Sequence, residues 1–259
     1  MTEILQTSIP YNPLAPRPLP GIQPLKPEDW LRFDAGFAAQ LAERERLLRD
    51  HPDAVLAMDA GAAPAAQELL DQVLAVRYGV GADANYVIRP DNAKVVINRA
   101  QPMETLGRIA QQDFCILERP EDGAEHLLTA AVLCFPASWT LAEKFMKPLL
   151  AIHEPVKDYD AGIARRVQRL FDGVQVGRPL WRFNALWYAD PSLHQPRLER
   201  DPRPTSTPET QNYMRSELQS IYRLPETRAV VFSIHTTVMS CAQVLAQWGA
   251  RSEVESKHP

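Results

Sequence analysis

Residues 114–135 read FCILERPEDGAEHLLTAAVLCF, and this stretch decides the fold class. Its two ends, 114–117 and 127–135, are short apolar runs, and the turn-like sequence EDGAE lies between them. Short apolar runs on either side of a turn predict a β-hairpin. A hairpin in the middle of the chain makes antiparallel pairing the starting point for its neighbours.

The residues after the hairpin alternate between helical and strand patterns. Helices are predicted at 141–153, 163–171 and 209–222, and strands at 180–188 (LWRFNALWY) and 229–239 (AVVFSIHTTVM). Pro148 is expected to kink the first helix or split it. Strands interrupted by helices predict an α+β fold. We expect a PAS-like antiparallel sheet with flanking helices and a helical insertion, 209–222, before the last strand.

The residues before the hairpin are proline-rich and then helical, with helices predicted at 35–50, 63–76 and 105–111. The predicted organisation has four parts. They are a Pro-rich extended arm at 1–35, a helical region packed on the core at 36–112, a PAS-like haem-binding core at 113–245 and a flexible tail at 246–259. The arm and the helical region would wrap the core.

Composition excludes several classes of protein. The chain has 259 residues, 45% of them hydrophobic, and a formal net charge of -4, which suits a globular protein and argues against nucleic-acid binding. It begins without the pattern of a signal peptide and has no apolar run of the roughly 20 residues that a membrane span needs. Its three cysteines form no CxxC pair, which suits a reducing compartment. We therefore expect a cytoplasmic protein; homo-oligomerisation stays open.

The helix at 141–153 ends in His153, two residues before Pro155. Met146 and Leu149 belong to the apolar side that leads to this imidazole. An axial histidine beside an apolar slot is what haem requires, so Met146 and Leu149 are candidate haem contacts. The alternative is a histidine at a helix end, where the macrodipole favours a positive charge.

Several strings in the chain carry a family resemblance. They are GIQPLKPEDWLRFDAGF (21–37), QQDFCIL (111–117), LLTAAVLCFPASWTLAEKFMKPLLAIHEPV (127–156), WRFNALW (181–187) and MRSELQSIYRLPETRAVVFSIHTT (214–237). Together they resemble the haem-dependent oxidative N-demethylase family, over most of the chain.

The resemblance implies a haem b monooxygenase that oxidises a methyl group of a small secondary amine with O2 and releases formaldehyde. His153, in the IHxPV motif, would be the ligand of the haem iron. Two electrons must come from outside, because the chain has neither a flavin motif nor the four cysteines of an iron–sulfur cluster. A separate reductase with flavin and an iron–sulfur centre is therefore the expected partner.

Three side chains are candidates for catalysis. Arg182 lies on one face of a predicted strand with Asn184, where the two could meet the haem edge, oxygen or a propionate. The alternative is an arginine on the sheet surface, paired with a carboxylate. His235 shares a strand face with Ser233 and Thr237 and would donate a hydrogen bond on the distal side, or would be an ordinary polar strand residue.

Glu217, the third candidate, lies in the predicted helix 209–222. There Arg215, a candidate for cofactor binding, shares a face with Gln219, and Glu217 points away from both. A carboxylate is the natural partner of a protonated amine. The alternative is a solvated helix charge. Cys115 and Cys134 are interpreted as core residues rather than thiolate ligands.

The chain departs from the family pattern at four positions. Ala185, Leu218 and His235 replace an expected tryptophan, arginine and basic residue, and Lys157 replaces a proline. These departures bear on the identity of the amine and on activity. They keep two alternatives open: a non-catalytic haem protein, either a gas sensor or a haem carrier, and a PAS-like module that binds another ligand.

Overall fold

A computed structural model describes residues 3–15, 21–123, 125–153, 161–202, 207 and 209–249, and for residues 153, 161, 163 and 164 the side chains lie outside that description. The helices are α1 (Phe37–Asp50), α2 (Pro52–Val55), α3 (Ala63–Val73), α4 (Pro102–Ile109), α5 (Leu141–Lys144), α6 (Leu149–His153), α7 (Ala161–Gly173) and α8 (Cys241–Trp248). The strands are β1 (Gln23–Pro24), β2 (Leu56–Met58), β3 (Tyr86–Ile88), β4 (Lys94–Val96), β5 (Asp113–Glu118), β6 (Leu127–Val132), β7 (Leu180–Tyr188), β8 (Tyr213–Arg223) and β9 (Val230–Ser240).

Seven of these strands form one sheet in the order β1-β7-β8-β9-β5-β6-β2, and every pairing in it is antiparallel. β3 and β4 form a separate hairpin. The α+β class is therefore confirmed. The predicted hairpin at 114–135 is β5 and β6, and the runs at 180–188 and 229–239 are β7 and β9.

The predicted helical insertion at 209–222 is wrong. Residues 213–223 form β8, which pairs along its length with β7 on one side and β9 on the other. The sequence YMRSELQSIYR contains good helix formers, but helix propensity is worth only a few tenths of a kcal/mol per residue, roughly. Burial of alternate side chains on both sides of a central sheet outweighs it.

The predicted helix 141–153 is split, as Pro148 suggested. α5 and α6 are joined by residues 145–148, where Met146 has a positive φ of 60°. This link lies along the start of β6: the Met146 N–H donates to Leu128 O (2.9 Å) and the Leu149 N–H donates to His126 O (3.1 Å). The position of α6 is thereby fixed relative to the sheet by backbone hydrogen bonds.

The two faces of the sheet are covered by different parts of the chain. One face, which we call the α7 face, packs Ile221 and Ile234 against Leu149 of α6 and Phe171 of α7. The opposite face, the α1 face, packs Tyr222 into the larger apolar cluster formed with α1, α3 and α4. The sheet thus separates two interiors, one on each side of β7, β8 and β9.

The N-terminal residues pack against the α1 face and contribute to the core. Ile9, Leu14 and Trp30 are buried, and the Trp30 indole N–H donates to Ser233 Oγ on β9 (3.1 Å). At the other end, α8 continues to Trp248, while most of the predicted tail, 250–259, lies outside the described residues. Among the helices described, none combines the length and apolar character needed to cross a bilayer.

Candidate functional site

The register of β7 and β8 places five polar side chains together on the α7 face. Directly opposed residues of an antiparallel ladder project to the same side, and Arg182 lies opposite Gln219 while Asn184 lies opposite Glu217. Arg215, two residues before Glu217, shares that side. We call these five residues the β7–β8 polar cluster. They lie on the face that α6 and α7 cover.

The shared face of Arg182 and Asn184 is as predicted, and so is that of Arg215 and Gln219. The expectation that Glu217 points away from the latter pair is wrong. In a helix, residues two apart diverge, whereas in a strand they point the same way. Because this segment is β8, Glu217 lies between Arg215 and Gln219 on one face.

Three side chains hold the Glu217 carboxylate. Arg215 Nε donates to Oε1 (3.2 Å), and the amides of Asn184 and Gln219 donate to Oε2 (3.3 Å each). The Glu217 side chain is 12% exposed. It is therefore a fixed, largely buried anion on the α7 face.

Arg215 connects this anion to two loops. Its Nη2 donates to Phe135 O (2.6 Å) and its Nη1 to Leu193 O (2.8 Å). The side chain is almost fully buried. All three guanidinium nitrogens of Arg215 are thus engaged within the fold, which fits it to orient Glu217.

Arg182 differs from Arg215 in having an unsatisfied donor. Its Nε is buried and has no hydrogen-bond partner among the described residues. Burial lowers the pKa of Arg182, although the nearby Glu217 charge opposes that shift. A buried donor without a partner costs about 1–3 kcal/mol, so an anionic group beside Arg182 would be stabilised strongly.

A further polar group on this face was not singled out from the sequence. Thr236 on β9 lies opposite Glu217, and its hydroxyl is buried with no partner in the described part of the chain. The signal was available: in AVVFSIHTTVM, Thr236 interrupts the apolar alternation of Ile234 and Val238.

The fit of this face to haem rests on its apolar cover and on Arg182. Leu149 is buried in the α7-face cluster, and Ile152 packs against it. Met146, by contrast, lies in the link before α6 and is 42% exposed. His153 is the last residue of α6, and its side chain lies outside the described residues, as does Lys157. An apolar wall with one uncompensated guanidinium suits a flat apolar group that carries carboxylates.

His235 lies on the α1 face, away from the polar cluster. Its strand neighbours Ser233 and Thr237 share that face, as predicted, because they lie opposite Ser220 and Ser216 of β8. His235 Nε2 donates to Asp34 Oδ2 (2.8 Å), and its Nδ1 accepts from the Gln112 amide (3.2 Å). The three candidate catalytic residues are therefore divided: Arg182 and Glu217 on one side of the sheet, His235 on the other.

The contact with His235 changes the titration of Asp34. Burial by itself would raise the pKa of Asp34, but hydrogen bonding and charge from His235, with hydrogen bonds from Gln111 and Gly36, lower it overall. The pair borders a cleft of about 460 Å³ between the N-terminal residues and β9, with Arg32 and Arg77 also lining it. Three departures from the family pattern, at Ala185, Leu218 and His235, lie on this α1 face.

The cysteines are placed as core residues. Cys115 and Cys134 are buried, and burial raises the pKa of the Cys134 thiol to about 12 and raises that of Cys115 as well. Both therefore stay protonated at neutral pH, and a protonated thiol is a poor metal ligand. No group of three or more metal-binding side chains occurs among the described residues.

Comparison with known families gives one match that spans most of the chain. The family described as haem-dependent oxidative N-demethylase, alpha subunit-like, matches residues 21–256. The matched region includes α6, the β7–β8 polar cluster and the α1 face.

Proposed function

The chain belongs to the haem-dependent oxidative N-demethylase alpha-subunit-like family, and from that premise we propose that it binds haem b on the α7 face and removes a methyl group from a small secondary amine. The observation that carries this proposal is the β7–β8 polar cluster, where an unsatisfied Arg182 and a fixed Glu217 carboxylate lie under the apolar side of α6. The proposed core is PAS-like, since a sheet covered by short helices on one face is the arrangement that haem PAS domains use.

Haem would supply oxygen activation, and the protein would supply its axial ligand and orientation. We assign the ligand to His153, at the end of α6, whose backbone the Leu149–His126 hydrogen bond fixes against β6. Leu149 and Ile152 would form the apolar wall of the slot. Met146, exposed in the link, would contact only its rim.

Arg182 and Asn184 would face the polar edge of the cofactor. A propionate beside Arg182 would satisfy its buried Nε, and a guanidinium binds a carboxylate with two parallel hydrogen bonds. Arg215 would act at one remove, by holding Glu217 in place.

Glu217 would bind the amine as its ammonium form. Its carboxylate has lone pairs beyond those used by Arg215, Asn184 and Gln219, so it could accept an N–H and hold the proton of the substrate. The Thr236 hydroxyl beside it would accept or donate a second hydrogen bond. His235, on the α1 face, would position β9 through Asp34.

The reaction needs electrons from another protein. One methylamine group, one O2, two electrons and two protons give the demethylated amine, formaldehyde and one water. The family name denotes an alpha subunit, which implies a multi-subunit assembly. We propose a reductase with flavin and an iron–sulfur centre as the partner, and the cytoplasm as the compartment.

A visible spectrum of the purified chain, expressed with adequate haem, tests the binding step. We expect a Soret band that His153→Ala abolishes or shifts and that His51→Ala, a change at an exposed histidine, leaves intact. Absence of the band in the unchanged chain would refute haem binding. An unaltered spectrum in His153→Ala would refute the ligand assignment.

Formaldehyde release from dimethylamine, with dithionite-reduced ferredoxin as electron donor, tests the reaction. A haem-loaded chain that releases none from a panel of small secondary amines would refute catalysis and favour the haem carrier or sensor.

A further inference from the structure

The outer side of α7 carries a group of arginines. Arg165, Arg166 and Arg169 are all exposed. At about 100° per residue they span roughly 100° of the helix circumference, opposite the side that buries Leu170 and Phe171. The salt bridges that α7 forms with other described residues use Asp172, at its far end, rather than these guanidinium groups.

The neighbouring helix α6 continues this surface. Met146 and Leu150 are 42% and 49% exposed, and Lys147 between them is exposed too. Both helices pack their apolar sides on the α7 face of the sheet, so their exposed side chains point away from it. We call Met146, Lys147, Leu150, Arg165, Arg166 and Arg169 the α6–α7 outer surface. One carboxylate, Glu125, reaches it and accepts the Leu150 N–H (2.8 Å).

This surface contrasts with the rest of the chain. The whole sequence has a net charge of -4, yet the α6–α7 outer surface holds four cations around two exposed apolar side chains. Like charges placed together repel one another, and complementary charge on a partner relieves that repulsion and speeds association. An apolar centre with a charged rim is the usual anatomy of a protein interface.

We propose that the α6–α7 outer surface is the docking site for the acidic face of the electron-donating partner. This inference rests on the proposed function, because it presumes a haem that must be reduced from outside. α6 ends in His153, so a donor docked there would lie next to the proposed axial ligand.

The size and charge of the surface favour this occupant. Electron-transfer complexes are small, typically under about 1,200 Å² in total, and depend on electrostatic steering. Two exposed apolar side chains within a basic rim match such a transient contact better than they match a permanent apolar interface. An anionic membrane would attract the same arginines, and the test therefore includes it.

The test compares two triple variants of equal net charge. Arg165→Glu/Arg166→Glu/Arg169→Glu reverses the proposed surface, and Lys26→Glu/Arg49→Glu/Lys94→Glu reverses three exposed cations elsewhere. The probe is a reduced acidic [2Fe–2S] ferredoxin, and stopped-flow absorbance follows haem reduction at low and high salt. We expect the α7 variant to be reduced about tenfold more slowly than the control variant at low salt, and the two to converge at high salt.

Equal rates for the two variants at low salt would overturn the proposal. So would binding of the unchanged chain to anionic phospholipid vesicles together with no detectable binding to ferredoxin. Dithionite alone should reduce the haem of both variants at the same rate, which separates a docking defect from a damaged site. If the chain binds no haem, the proposed function fails, while ferredoxin binding by calorimetry still tests the docking surface.

Discussion

Thr236 lies directly opposite Glu217 in the β8–β9 ladder, and its hydroxyl is buried without a hydrogen-bond partner among the described residues. A native protein seldom leaves such a group unsatisfied. The pairing puts an unused hydroxyl next to a buried carboxylate, which is the arrangement expected where a small polar molecule binds.

Thr236→Val removes this hydroxyl while keeping the shape of the side chain. We expect the free energy of unfolding to stay the same or to rise, because no internal hydrogen bond is lost, and the KM for the amine to increase. Thr129→Val is the control, since the Thr129 hydroxyl donates to Glu118 (2.5 Å) and its loss should cost about 1 kcal/mol. Urea titrations measure both; a larger loss in Thr236→Val than in Thr129→Val contradicts the prediction.

Glu217→Gln keeps the size of the side chain and removes its charge. The charged partner of both Arg215 and the amine is lost, and charge-assisted hydrogen bonds contribute about 1.5–3 kcal/mol. We therefore expect kcat/KM for the amine to fall by about 10- to 100-fold. The Soret band should persist. Unchanged kinetics would remove Glu217 from the substrate site.

Asp34 and His235 predict an acid-sensitive contact on the α1 face. Because the pKa of Asp34 is lowered in the folded protein, its ionised form stabilises the fold above its ordinary pKa of about 3.9, and that stabilisation is lost as pH falls through the folded value. Asp34→Asn should therefore destabilise the protein at pH 6 and converge with the unchanged chain near pH 3. Urea unfolding across this range measures the difference; a constant gap contradicts the assignment.

His126 predicts a second pH dependence, near neutrality. Its Nδ1 accepts from the Gln168 amide of α7 (3.2 Å), while its carbonyl accepts the N–H of Leu149 in α6. Burial, with charge from Arg223 and Arg119, lowers the pKa of His126 despite the opposing effect of Asp172.

The neutral imidazole of His126 is thus the folded form. Stability should be complete above its ordinary pKa of about 6.5 and should decline as pH falls below it, because the unfolded chain then binds the proton. His126→Gln should flatten this decline between pH 7 and 5. Hydrogen exchange of residues 149–153 and 161–173 should rise with acid in the unchanged chain only.

Arg44 and Asp113 form a fully buried ion pair (2.6 Å), and Asp113 also accepts the N–H groups of Cys134 and Phe135. Arg44→Met leaves that carboxylate uncompensated, so we expect a loss of about 3–5 kcal/mol. Arg46→Met, at a half-exposed position of the same helix, should cost under about 1 kcal/mol. Comparable losses in thermal or urea unfolding would contradict the role given to the buried pair.

Much of the fold was predictable because strands such as β7 and β9 have continuous or alternating apolar patterns. β8 was not, since its Arg215, Glu217 and Gln219 are exposed-helix residues by propensity. Their burial depends on strands far away in sequence. The shared face of Arg182 and Asn184 follows from period two alone. That His235 belongs to the other side follows only from the register of β8 and β9.

The sheet acts as a partition between two chambers of the same molecule. Side chains that alternate along one strand answer to different neighbours: Glu217 to the amine chamber, and Leu218 to the N-terminal residues. Sequence drift at Ala185, Leu218 or His235 is thereby insulated from the chamber of Arg182 and Glu217. A lineage could remodel how its N-terminal arm is fastened and still inherit the same reaction room behind the wall.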